Sequence, residues 1–199
     1  MTRKTLFLVS LILMTLTVTI AGCSRDEMSP QAPTLTEESL IKSQDGVPNE
    51  AEIEDLNLIR EDEKLARDVY LLLNDQYDLA IFANIAVSEQ QHMDAIKNLL
   101  DKYELPDPCE GNGPGEFTNE ELQHLYDDLI AEGQASVTGA MLVGLAIEEI
   151  DILDLQHAMD TVFLSDLDRV YGNLCDGSCS HLRAFVSNYE SLTGETYVP

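Results

Sequence analysis

Glu89-Gln90-Gln91-His92 is the stretch that decides the fold. A carboxylate and an imidazole three residues apart project from one face of a helix, so both can reach a single point. They interrupt an apolar stripe, Phe82, Ile85, Glu89, His92, Ile96, Leu99. Its alternation of three and four residues is that of a helix facing a bundle core. Such a core rarely buries a carboxylate alone, because taking the charge out of water costs several kcal/mol. A cation held at this level is the simplest compensation, and it needs ligands from other helices.

Those helices are legible on either side. A first helix runs from Asn49 to about Gln76, with the stripe Leu56, Ile59, Glu63, Tyr70, Leu73. The second covers about Ala80 to Tyr103 and stops before Leu105-Pro106-Asp107-Pro108. Residues 104–118 read as a loop, and Thr118 with Glu121 is a capping-box signal opening a short helix to about Ala131, ended by Gly133. A third long helix runs from about Ser136 to Met159 with the stripe Leu142, Leu145, Glu148, Ile152, Leu155. Ser165 with Asp168 opens a fourth, to about Tyr189, with Leu167, Val170, Leu174, His181, Phe185 inward and Gly194 beyond its end. There is no sustained strand alternation and no Gly-rich phosphate loop. The expected fold is therefore all-α: a four-helix bundle over residues 49–192, in two antiparallel pairs. A long crossover containing the short helix lies between helices 2 and 3, which resembles the ferritin-like connectivity.

Each long helix places a metal-capable group among apolar neighbours near mid-length. The candidate ligands are Glu63, Glu89, His92, Glu148, Asp151 (one turn beyond Glu148) and His181, with Glu149 as an alternative to Asp151. His124 and His157 fall outside this set and are expected on the surface. Mixed oxygen and nitrogen donors suit iron or manganese. Tyr70, about two turns from Glu63, could donate a hydrogen bond to a ligand from behind, although core packing is its main expected role.

The ends of the chain carry other signals. Arg3 and Lys4 precede an apolar run, Leu6 to Ile20, which reads as a secretion signal over residues 1–22 rather than a spanning helix. Ile20-Ala21-Gly22-Cys23 resembles a bacterial lipobox, which implies cleavage before Cys23, lipidation of Cys23 and a flexible tether over residues 23–48. The expected location is the cell envelope: the outer membrane facing the periplasm, or the outer face of the cytoplasmic membrane. Without residues 1–22 the chain keeps 9 of its 11 basic residues and all 37 acidic ones, a net charge of −28. Such a surface repels nucleic acid and attracts cations. The expected partners are metal ions, oxygen or peroxide, and a membrane through the lipid anchor alone; a homodimer is compatible with the chain. Of the remaining cysteines, Cys109 could bridge Cys175 or Cys179, whereas Cys175 and Cys179 are awkwardly spaced for each other. The three thiols match no zinc template.

Glu63-Lys64-Leu65-Ala66-Arg67-Asp68-Val69-Tyr70 resembles the first-helix E-x-x-A-R-x-x-Y pattern of rubrerythrin-type proteins, and Glu89-Gln90-Gln91-His92 resembles their second-helix E-x-x-H. More closely, REDEKLARDVY, SEQQHMDAIKNLL, AIEEIDILDL and SHLRAF resemble an uncharacterised ferritin-like family of bacteria and archaea, over roughly residues 50–190. This superfamily resemblance implies two metal ions, iron first and manganese second. It also implies a di-iron oxidase or peroxidase, with Glu63 and Glu148 bridging and Glu89, His92, Asp151 and His181 terminal. A metal-binding or metal-delivery lipoprotein without turnover is the alternative, and a structural module keeping a relic site is a third. The fourth helix departs from the superfamily pattern: Ser178 and Gly177 stand where a carboxylate partner of His181 would be, so Asp151 is expected to supply the missing oxygen. A rubredoxin-like four-cysteine segment is also lacking.

Overall fold

The computed structural model describes residues 46–198. The signal, the lipobox with Cys23 and nearly all of the tether lie outside them. Among the described residues there are five helices and no strand: α1 (Glu50–Tyr77), α2 (Ala80–Lys102), α3 (Glu120–Gly133), α4 (Val137–Thr161) and α5 (Ser165–Thr193). None of these is long and apolar enough to cross a membrane. The long helices pair as α1 with α2 and α4 with α5; α1 also packs on α4 and α2 on α5, while α3 lies against α1 and α4. The four long helices thus close a bundle, with the crossover and α3 along one side. Asp78 in the left-handed region (φ 51°) ends α1 and, with Leu79, forms the whole turn into α2.

Local side-chain caps open α1, α3 and α4, whereas α2 and α5 start at Leu79 and Leu164 without one. Asn49 caps α1 in a reciprocal box with Glu52, and Ser136 caps α4 by accepting from Gly139 N–H. The expected Thr118 cap of the short helix is not used: Asn119 caps α3, accepting from the Glu121 and Leu122 N–H groups. Thr118 N–H instead donates to Glu61 Oε1. Ser165 is likewise the first helical residue of α5 rather than its cap. Its neighbours Phe163 and Leu164 donate their N–H groups to Glu52 Oε1 on α1, so a distant carboxylate does the work of a local one. The bundle extends past the expected limit at 192: α5 runs to Thr193, and Tyr197 in the tail donates its hydroxyl to Glu149 Oε1.

The apolar stripes face inward nearly as spaced. Leu142 is the clearest exception, 39% exposed, with Met141 and Val143 buried beside it. Tyr70, Phe82 and Phe185 meet in the core with ring centroids 5.3–6.1 Å apart. A Cβ at Gly144 would overlap the Phe185 ring, so α4 and α5 approach only because that position is glycine.

The crossover is held by charged side chains of α1 that the sequence presents as an ordinary solvated face. Arg60 donates to both oxygens of Asp107 and to Met93 O. Lys64 is 2% exposed and donates to Asp68 Oδ2 (2.6 Å) and Gly113 O (2.8 Å). Asp68 Oδ2 also accepts from Gly115 N–H, and its Oδ1 from Arg67. Cys109 in this loop is a free thiol whose Sγ lies 3.6 Å from Arg60 O, and Cys175 is free as well. The expected bridges from Cys109 to Cys175 or Cys179 are therefore not formed; the loop is held by ion pairs and amide contacts instead.

Candidate metal centre

Four helices bring Glu63, Glu89, His92, Glu148 and His181 to one level of the bundle. The carboxylates of Glu63, Glu89 and Glu148 are buried, and the two imidazoles are 12% exposed. Ligand atoms of Glu63, Glu89 and His92 all lie within 4.8 Å of one another, and so do those of Glu89, Glu148 and His181. Glu89 belongs to both groups. Its Oε2 lies 2.9 Å from His92 Nδ1 and its Oε1 lies 2.8 Å from His181 Nδ1. His92 Nδ1 is also 3.1 Å from Glu63 Oε2, and His181 Nδ1 is 3.4 Å from Glu148 Oε2. Glu89 is common to both groups because the E-x-x-H face of α2 meets α1 on one side and α5 on the other; Glu63 and Glu148, the expected bridging residues, each stand in one group.

The supporting contacts fix these groups. Tyr70 donates its hydroxyl to Glu148 Oε1 at 2.6 Å, so its core packing and its hydrogen bond coexist. His181 Nε2 lies 3.0 Å from Ser88 Oγ, which leaves Nδ1 facing the carboxylates. The two imidazoles stack with centroids 5.5 Å apart. A Cβ at Gly177 would lie 2.6 Å from His92 Nε2. The His92 ring thus covers position 177 on α5, while Ser178, three residues before His181, is buried and donates its hydroxyl to Leu174 O.

Asp151 is buried on α4 and feels the charges of Glu63, Glu148 and Glu89, but it does not join either close group. Glu149 points to the tail and accepts from Tyr197. His124 and His157 are exposed, as expected. Asp62 was not singled out in the sequence; it is buried on α1 beside Asp151, and its place between Glu61 and Glu63 in an acidic run hid it.

Electrostatics sharpen the picture. Burial pushes Glu63 and Asp151 well above the carboxylate range, with neighbouring carboxylates adding to the shift. Burial likewise raises Glu148, to about 7, against the pull of His181. Burial would also raise Glu89, yet the two imidazoles, His181 foremost, outweigh it and hold Glu89 at about 2. Burial would lower His181, but Glu148 and Glu89 lift it to about 9. Glu63 Oε1, both oxygens of Glu89, Glu148 Oε2 and His181 Nδ1 are buried without an aligned hydrogen bond. Short donor–acceptor distances without alignment are what convergence on a common third point produces. The donor set, carboxylate oxygens with two imidazole nitrogens, fits a metal ion that takes mixed oxygen and nitrogen ligands.

Residues 52–199 match the family described as "Uncharacterized protein domain (DUF2202)", and the chain belongs to that family. It is 46% identical over 151 residues to "Uncharacterized protein MJ0754" of Methanocaldococcus jannaschii, an alignment covering 76% of this chain and 81% of that one. The crystal structure of hypothetical protein MJ0754 from Methanococcus jannaschii DSM 2661 superposes with a TM-score of 0.71 at 41% identity, covering 86% of this chain and 90% of that one.

Proposed function

We propose that this chain is a ferritin-like, di-metal lipoprotein, most simply di-iron, redox-active toward oxygen or peroxide. One observation carries the reading: two carboxylate–imidazole groups share Glu89, and four of their six carboxylate oxygens are buried without an aligned partner. Glu63 and His92 would hold one ion, Glu148 and His181 the other, with Glu89 between them and Asp151 behind. A bound pair of iron ions supplies two one-electron steps, enough to reduce one peroxide, with two protons, to two waters. The chain's own residues position and shield. Tyr70 fixes Glu148 from the core side, Ser88 orients His181, and Phe82 and Phe185 exclude water below. Burial raises Glu148 to about 7, and Glu148 and Glu89 lift His181 to about 9, so the metal-free centre holds protons that a bound cation would displace. Export and anchoring through Cys23, carried by the lipobox resemblance, would place this chemistry at the cell envelope.

Rapid mixing of the anaerobically Fe(II)-loaded protein with peroxide or oxygen tests the reading. Oxidation within seconds that repeats on re-reduction is expected. Full loading with no reaction over minutes would leave a metal-holding or metal-delivery lipoprotein in its place.

A further inference from the structure

We propose that the pocket bordered by Asp62 and Asp151 is the port through which a divalent transition-metal cation reaches the centre, resting on those two carboxylates before passing inward. This rests on the metal-centre reading above. Two observations carry it. The pocket is lined by Leu65, Leu125, Ile147 and Ile150, so its polar groups are the two acids. Both are buried, and Asp62 Oδ2 and Asp151 Oδ2 have no hydrogen-bond partner.

The neighbours of Asp62 on α1 are committed elsewhere: Glu61 accepts from the Thr118 and Asn119 N–H groups, and Glu63 faces His92. No such duty explains Asp62. Two unpartnered carboxyl groups on an apolar wall offer acceptor oxygens and no fixed donor, which disfavours an anion. A cation suits them, since carboxylate oxygens replace the water it sheds. Position supplies the direction. Leu125 and Ile150 are only half-buried, so the pocket opens beside α3. Half-buried Asp154, one turn from Asp151 on α4, acts on Asp62, and Asp62, Glu63 and Glu148 all act on Asp151. The acids thus form a line of falling exposure from surface to centre, and the strongly acidic surface would feed it.

Stopped-flow uptake of Co(II), read by its visible absorption, tests the port in Asp62→Asn and in Leu125→Phe, which narrows the mouth without touching a carboxylate. Circular dichroism establishes that each variant is folded. Both are expected to reach the wild-type stoichiometry and final spectrum, with loading slowed at least tenfold. Wild-type loading rates in both would overturn the port and assign entry to the slightly exposed face beside His92 and His181. A lost equilibrium ion in Asp62→Asn would overturn it too, by making Asp62 a ligand of the centre. Failure of the centre itself reads differently: wild-type protein would take up no Co(II), or Glu89→Gln would take up the full complement.

Discussion

Glu89 is the residue on which the site turns. A single buried carboxylate faces one imidazole with each oxygen, and among the described residues Glu89 is the member common to both close groups. The residues that hold its partners are as decisive. Gly177→Ala brings a methyl to 2.6 Å from His92 Nε2. Alanine is the better helix former by about 1 kcal/mol, so helix propensity alone would stabilise the variant. The account instead predicts at least a tenfold loss of Co(II) affinity, about 1.4 kcal/mol, in a folded protein, measured by competition against a chromophoric chelator. Tyr70→Phe removes the donor to Glu148 Oε1 and leaves a buried acceptor unmatched. A loss of about 1–3 kcal/mol in urea unfolding of the metal-free protein is expected, and no change would show that the hydrogen bond contributes nothing. Cys109 belongs to this scale as well. Burial pushes its thiol up to about 11, so at pH 8 it should react with a disulfide reagent many times more slowly in the native protein than in urea.

At the scale of elements, α1 does two jobs on two faces. Its apolar stripe and Glu63 face the bundle, while Arg60, Glu61, Lys64 and Asp68 grip the crossover. The Lys64–Asp68 pair is buried, so removing one member strands the other charge. Asp68→Ala should cost about 3–5 kcal/mol of unfolding free energy, whereas Lys97→Ala, which breaks a solvent-exposed pair at the same spacing, should leave the urea midpoint almost unchanged. Equal effects of the two in urea melts would contradict this description of the clamp. The contrast also marks what could be read from the chain. The helices and the polar interruptions at Glu63, Glu89, Glu148 and His181 were legible because helical period is a local property. The clamp was not, because its partners sit in an aperiodic loop some fifty residues away, and charged residues on an acidic helix look solvated. The caps at Thr118 and Ser165 misled for the same reason: Glu61 and Glu52, distant in sequence, took the exposed amides. The place of Glu89 in both groups followed from how α1 and α5 flank α2, which no single stripe contains.

For the whole molecule, the centre ties stability to pH and to metal. Glu148 at about 7 and His181 at about 9 both lie above their ordinary values near 4.3 and 6.5. The metal-free fold thus binds these protons more tightly than the unfolded chain. Their contribution is present in full at low pH and is lost as pH rises through about 7 to 9. Glu89, held at about 2, acts oppositely, but only in acid. Urea midpoints of the metal-free protein should therefore fall between pH 6.5 and 9, while apparent metal affinity rises over the same window because cations displace these protons. A metal-free midpoint that rose with pH would contradict the assignment. Most direct for the central claim is the iron content of protein reconstituted anaerobically with Fe(II) and desalted, compared with its Glu89→Gln variant. The account predicts two irons per chain in the wild type and fewer than one in the variant, since Glu89 serves both halves. A wild type that retains no iron, or a variant that keeps two, would contradict it.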